Sequence, residues 1–291
     1  MRARRRLAWL PWLLSLPILF FLAIWILGWA LVHPVMRDVG APPSDLPARS
    51  VMIFDASGHP MGGWFVPGVE HQGAVLLLHG VRANRLSMVD RARFLHTAGY
   101  AVLLIDFQAS GQSPGDAITF GYREADDVKA ALRYLRHQLP GERIGVIGTS
   151  MGGAATILAG PDAQADAIVL EQVYPTIRQA LEDRLAIRLG TVGRWLAPVL
   201  LATLHGHLDI YPEQLRPIDH IGSLLSPKLL IVGDRDRHTT LAESYAMVQA
   251  ARAPKELWIV RSAEHVDLCR YAGDAYQRKV LQFFAAHLRG G

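Results

Sequence analysis

Short continuous apolar runs recur along the chain, separated by amphipathic stretches. "AVLLLHG" (74–80), "YAVLLIDF" (100–107), "RIGVIG" (143–148), "AIVLEQV" (167–173), "KLLIVGD" (228–234) and "KELWIV" (255–260) have the length and two-sided hydrophobicity of buried strands. Between them, "SMVDRARFLHTAG", "EADDVKAALRYLRHQLP", "MGGAATILAG" and "LAESYAMVQAA" carry helical spacing, and Gly99, Pro140 and Gly160 stop the first three. "DAYQRKVLQFFAAHL" closes the chain as a helix. "VMIFDASGHPMGGWFVP" reads as a hairpin around Ser57-Gly58 at a sheet edge. Strands alternating with helices predict an α/β fold, a mostly parallel central sheet with helices on both faces. From Tyr174 to about Leu225 no strand pattern appears, and "TIRQALEDRLAIRLGTVGRWLAPVLLATLHG" is helical throughout. An insertion of that length between two strands predicts a helical cap over a site.

The first residues follow a different pattern. No charge occurs from Leu7 to Val32, a run that as helix would cross a hydrocarbon core of ~30 Å. Pro11 and Pro17 are tolerable in such a helix. Trp9, Trp12, Trp25 and Trp29 lie toward its two ends, where indoles favour the interface. A cleaved signal peptide would have a shorter apolar region and a small-x-small site, which "GWALVHP" does not offer. Residues 1–39 therefore read as an arginine cluster and an uncleaved single-pass signal anchor. Arg2, Arg4, Arg5 and Arg6 would stay cytoplasmic and the rest would face outward, into the periplasm if the source is bacterial. "GAPPSDLPARS" (40–50) reads as a linker, and 51–291 as the folded domain.

Composition changes the picture little. The 30 basic and 26 acidic residues differ by four, and the four N-terminal arginines account for that excess. The body is formally neutral, without the basic stripe that nucleic acid requires. Cys269 is the only cysteine, which rules out an intrachain disulfide and any cysteine-based zinc site.

The candidate chemistry lies in "GTSMG" (148–152), where a strand pattern gives way to a helix pattern. A serine there fits a nucleophile elbow, the tight strand-to-helix turn that exposes a hydroxyl at the top of a sheet. Side chains at Gly148 and Gly152 would collide as the backbone doubles back, and Gly153 would allow close helix–strand packing. The helix N-terminus favours developing negative charge. Ser150 needs a general base and an acid to orient it. His265, beyond "KELWIV", and Asp236, beyond "KLLIVG", follow in the order serine, acid, histidine at strand carboxyl ends. An oxyanion hole needs two N–H donors. Met151, after the serine, and Val81, in the loop "HGVRANR", are the candidates, with His79 bracing that loop.

Taken together, "LLLHGVRANR", "AVLLIDFQASGQSPG", "IGVIGTSMGGAAT", "LLIVGDRDRHT" and "SAEHVDL" resemble the motif series of the α/β-hydrolase superfamily, in particular its serine-aminopeptidase-like and esterase-like subgroup, from about Val51 to Leu288. The resemblance implies Ser150 as nucleophile, Asp236 as acid and His265 as base. Three departures stand out. Glu264 replaces a common glycine before the histidine, Gln108-Ala109-Ser110-Gly111 replaces an R-G-x-G loop, and Asp234 stands close to the acid. Some members carry the acid one strand earlier, which makes Glu171 the alternative.

The expected activity is hydrolysis of an ester, thioester or amide through an acyl-enzyme, with no cofactor or metal. An acyltransferase using the same triad and a non-catalytic membrane-anchored binding module are the competing readings. The apolar "WLAPVLLATL" (195–204) packs inside the cap or forms a pocket or membrane-facing surface for a lipid-like acyl substrate. Glu182 and Asp183 read as a solvated helix face.

Overall fold

The computed structural model describes residues 10–289. Arg2, Arg4, Arg5, Arg6 and Trp9 lie outside these residues. Eight strands form the central sheet: β1 (Arg49–Phe54), β2 (Pro60–Val66), β3 (Ala74–Leu78), β4 (Ala101–Ile105), β5 (Ile144–Thr149), β6 (Ala167–Glu171), β7 (Lys228–Gly233) and β8 (Lys255–Val260). Their spatial order is β1-β2-β4-β3-β5-β6-β7-β8. β2 runs antiparallel to β1 and β4, and every other neighbouring pair is parallel. The expected edge hairpin is thus β1–β2. Its turn is held by Asp55, whose Oδ1 accepts from the Ser57 and His59 N–H groups at 2.8 Å each.

The parallel strands β3 to β7 are buried on both faces, as their unbroken apolar runs require. α3 (Glu124–Gln138), α4 (Met151–Leu158) and α7 (Leu241–Ala250) cover one face, where Val128, Leu132, Ala154 and Met247 join the core. α2 (Val89–Thr97), α8 (Leu268–Ala272) and α9 (Asp274–Leu288) cover the other with Leu95, Tyr276 and Phe284. Between β6 and β7 the chain makes two long helices, α5 (Ile177–Leu189) and α6 (Thr191–Leu208), hinged at Gly190 with φ +62°. Thr176 caps α5 by accepting from the Gln179 N–H at 3.1 Å.

α1 (Leu10–Val32) is, among the described residues, the one helix long and apolar enough to cross a bilayer. Its last turns do not stand clear of the body. Ile24, Gly28 and Val32, four residues apart, face the protein. A Cβ on Gly28 would lie 2.1 Å from Thr203 Oγ1, and one on Gly206 2.5 Å from the Trp25 ring, so α1 and α6 touch through glycines. The Trp25 and His207 rings meet at a tilt of 42° with centroids 4.1 Å apart. Leu16 to Leu22, below this contact, is exposed.

The segment following α1 is stitched to the body. The Ile118 N–H donates to Val32 O, Val35 N–H to Ala109 O and Arg37 N–H to Gly111 O, each at 2.8 Å. Residues 40–50, read as a linker, lie along the surface, with Leu46 buried and Asp45 paired to Arg93 at 2.6 Å.

Candidate active site

The site forms at the carboxyl ends of β3, β5, β6, β7 and β8. Ser150 follows β5 and precedes α4 with φ 50° and ψ −112°, a strained conformation for a residue with a side chain. The surrounding glycines make it possible. A Cβ on Gly148 would fall 2.6 Å from the Gly153 N, and one on Gly152 would fall 2.5 Å from Leu78 O. A Cβ on Gly153 would meet Val173 Cγ2 at 2.2 Å. The Ser150 N–H donates to Glu171 O at 2.8 Å, fixing the turn to β6.

His265 Nδ1 and Asp236 Oδ2 are 2.7 Å apart. Asp236 is buried, and its other partners are all donors: the His238 N–H (2.7 Å), the Thr239 N–H (2.9 Å) and Gln172 Nε2 (2.9 Å). Burial alone would push this carboxyl up. The His265 hydrogen bond and charge, with the two backbone donors, outweigh burial and hold it below the ordinary carboxylate range. His265 Nδ1 bound to a carboxylate leaves Nε2 as its free nitrogen. Ser150 and His265 border the same cleft, of about 370 Å³. Among the described residues no hydrogen bond joins the two side chains.

The loop after β3 lies beside the serine, since a Cβ on Gly80 would meet Ser150 Cβ at 3.7 Å. His79 braces it. Its Nδ1 bonds Gly80 O at 2.8 Å and its Nε2 accepts from the Phe107 N–H at 3.1 Å. Burial lowers its pKa, consistent with this neutral tautomer. Among the described residues, neither the Val81 nor the Met151 N–H has a protein acceptor. Val81 borders the cleft, whereas Met151 borders an adjoining cavity.

Glu171 is committed elsewhere. Its Oε2 meets Arg91 Nη2 at 2.6 Å and Thr149 Oγ1 at 3.1 Å, and Tyr276 OH bonds its Oε1. Asp234 is exposed, two residues from the buried Asp236. Asp183 and its neighbour Glu182 are half-buried rather than fully solvated. Burial raises the pKa of Asp183, and this carboxyl pairs with Glu243, which burial and the Asp183 charge raise to about 7. The sequence reading did not single out Gln172, which ties Asp236 to Glu264 O (3.0 Å), or His238, whose ring centroid lies 5.0 Å from that of His265. Position at a strand's carboxyl end was the available signal for Gln172. Buried Cys269, its thiol pushed up to about 12 by burial, stands apart from this chemistry.

Residues 69–210 match the family model described as serine aminopeptidase, S33. An uncharacterized protein of Mycobacterium tuberculosis, Rv2307c, is 30% identical over 240 residues, covering 80% of this chain and 78% of its own. The uncharacterized YqkD of Bacillus subtilis is 24% identical over 251 residues, 85% of this chain and 82% of its own. Among solved structures, the Pyrococcus furiosus esterase Pf2001 superposes with TM-score 0.73 at 24% identity, covering 89% of this chain and 98% of that one. The esterase domain of a Rhodothermus marinus protein gives TM-score 0.58 at 21% identity, over 81% and 99%.

Proposed function

Because the chain belongs to the α/β-hydrolase superfamily, we propose that it is a membrane-anchored serine hydrolase that cleaves esters through an acyl-enzyme. What chiefly supports this reading is the 2.7 Å contact of His265 Nδ1 with Asp236, on a cleft that Ser150 shares. His265 Nε2 takes the Ser150 hydroxyl proton as the oxygen attacks the ester carbonyl carbon. The Val81 and Met151 N–H groups stabilise the oxyanion. The tetrahedral species expels the alcohol, which receives the proton from His265. Water, deprotonated by the same imidazole, then attacks the acyl-enzyme, releases the acid and regenerates Ser150. Asp236 keeps Nδ1 protonated and stabilises the imidazolium.

Residues 1–39 serve as anchor with the N-terminus cytoplasmic, 51–291 as the hydrolase domain, and about 174–225 as its cap. Labelling full-length protein with a fluorophosphonate probe tests the nucleophile. The parent is expected to label and Ser150→Ala to lose labelling; a labelled Ser150→Ala chain would refute the assignment. p-Nitrophenyl esters run beside aminoacyl anilides decide between ester and amide, with faster ester turnover expected.

A further inference from the structure

A second cavity, of about 250 Å³, opens beside the cleft. Its walls are mostly apolar and come largely from three helices, with Gly28 and Leu31 of α1, Ala180 and Leu181 of α5, and Leu201 and Leu204 of α6, while Arg82, Arg184 and Arg188 also reach the lining. Two residues, Val81 and Arg184, border both spaces, and Met151 borders this one. Ser150 and His265 border the cleft. We propose that the end of the N-terminal helix is a wall of an acyl-chain chamber, and that the substrate is the ester of a medium-length fatty acid. This rests on the serine-hydrolase reading above.

The placement follows from the chemistry of the bond. A carbonyl oxygen held by the Val81 and Met151 N–H groups sits where the two spaces meet. The leaving alcohol must face His265, so it lies in the cleft. The acyl side is left to run into the apolar chamber. At about 30 Å³ for each methylene-sized group, the chamber houses about eight carbons. Its position suits a lipid-like ester. The uncharged run from Leu7 to Ala23, below the docked turns, would give about 26 Å as helix against a core of ~30 Å, which would hold the body close to the bilayer surface.

The test uses the full-length protein in detergent and a p-nitrophenyl ester series from acetate to dodecanoate. The parent is expected to prefer chains near octanoate. Leu31→Trp and Ala180→Phe, which fill the chamber from two different helices, are each expected to lower the octanoate-to-acetate ratio of kcat/KM by about tenfold or more. Leu204→Ala should move the optimum to longer esters. An unchanged ratio in Leu31→Trp, with fluorophosphonate labelling intact, overturns the proposal, as does a shift confined to Ala180→Phe. If Leu31→Trp fails to label, Leu31→Ala decides: a longer optimum supports the wall and an unchanged profile refutes it. A parent that neither labels nor hydrolyses any ester instead sinks the serine-hydrolase reading.

Discussion

Two buried carboxylates, Glu171 and Asp236, stand at or just beyond the carboxyl ends of β6 and β7, and their partners separate their roles. Asp236 meets an imidazole that borders the cleft, while Glu171 meets the buried guanidinium of Arg91. Asp236→Asn should therefore act on turnover. A neutral amide offers no charge to the imidazolium and does not enforce the Nδ1–H tautomer, so kcat should fall about 10⁴-fold with little change in melting temperature. Glu171→Gln should act on stability. It leaves Arg91 with the Tyr276 hydroxyl at 3.2 Å and, among the described residues, the partly exposed Asp267 at 2.9 Å as its remaining anionic partner, and breaking a buried pair costs about 3–5 kcal/mol. Ester kinetics and thermal melts on both variants check this, and a turnover loss in Glu171→Gln alone would move the acid to β6. Sequence order alone left these two candidates open, because the choice depends on where Arg91, thirteen residues past β3's end by chain count, carries its charge in space.

At the scale of elements, the β5–α4 turn stores strain that the glycines around it make tolerable. Gly152→Ala would press a methyl onto the backbone oxygens of Leu78 and His79, 2.5 and 2.8 Å away, which side-chain repacking cannot relieve. A cost of about 1–3 kcal/mol is expected. Gly141→Ala, with open space around it and φ +87° in the turn after α3, should cost only about 1 kcal/mol. Melting curves of the two rank the effects, and equal losses would deny that close approach is what Gly152 serves. The Asp183–Glu243 pair joins α5 to α7 with a pH dependence. Glu243 titrates near 7 in the fold against an ordinary 4.5, so the folded chain holds its proton longer than the unfolded chain. Its contribution to stability is fully present below 4.5 and is lost as pH rises through 7. Glu243→Gln stays uncharged, so its melting temperature relative to the parent should climb between pH 5 and pH 8; a constant difference would count against the pair. The strands, the strand-to-helix turn at Ser150 and the strand-end positions of Asp236 and His265 were legible because each is written locally, in apolar runs and turn residues. The partial burial of Asp183 was not, since its surroundings on α5 include Glu243 of α7, some fifty residues onward in the sequence.

At the scale of the whole molecule, hydropathy marks α1 as a membrane helix but cannot tell lipid from protein as its surroundings, and so the docking of its last turns on α6 was illegible. That docking, together with the bonds of Val32, Val35 and Arg37 to residues 109–118, ties anchor and catalytic body into one piece. If α1 anchors the chain as proposed, a flexible tether would let the body sample many orientations, whereas this connection would fix the α1 wall of the proposed chamber relative to the bilayer. Gly28→Leu tests the coupling. Its side chain would enter the space of Thr203, whose Oγ1 lies 2.1 Å from the position of a Cβ there, and α1 must lift from α6. The strand-like bridge at Val35–Met36 then loses its support on one side. Limited trypsin digestion of the full-length protein in detergent should cut Gly28→Leu after Arg37 markedly faster than the parent, because cleavage requires local opening of that segment. The effect should be absent in Gly58→Ala, which alters the distant β1–β2 turn. Equal cleavage of parent and Gly28→Leu would mean that α1 and the body move independently, and the anchor would then be a tether alone.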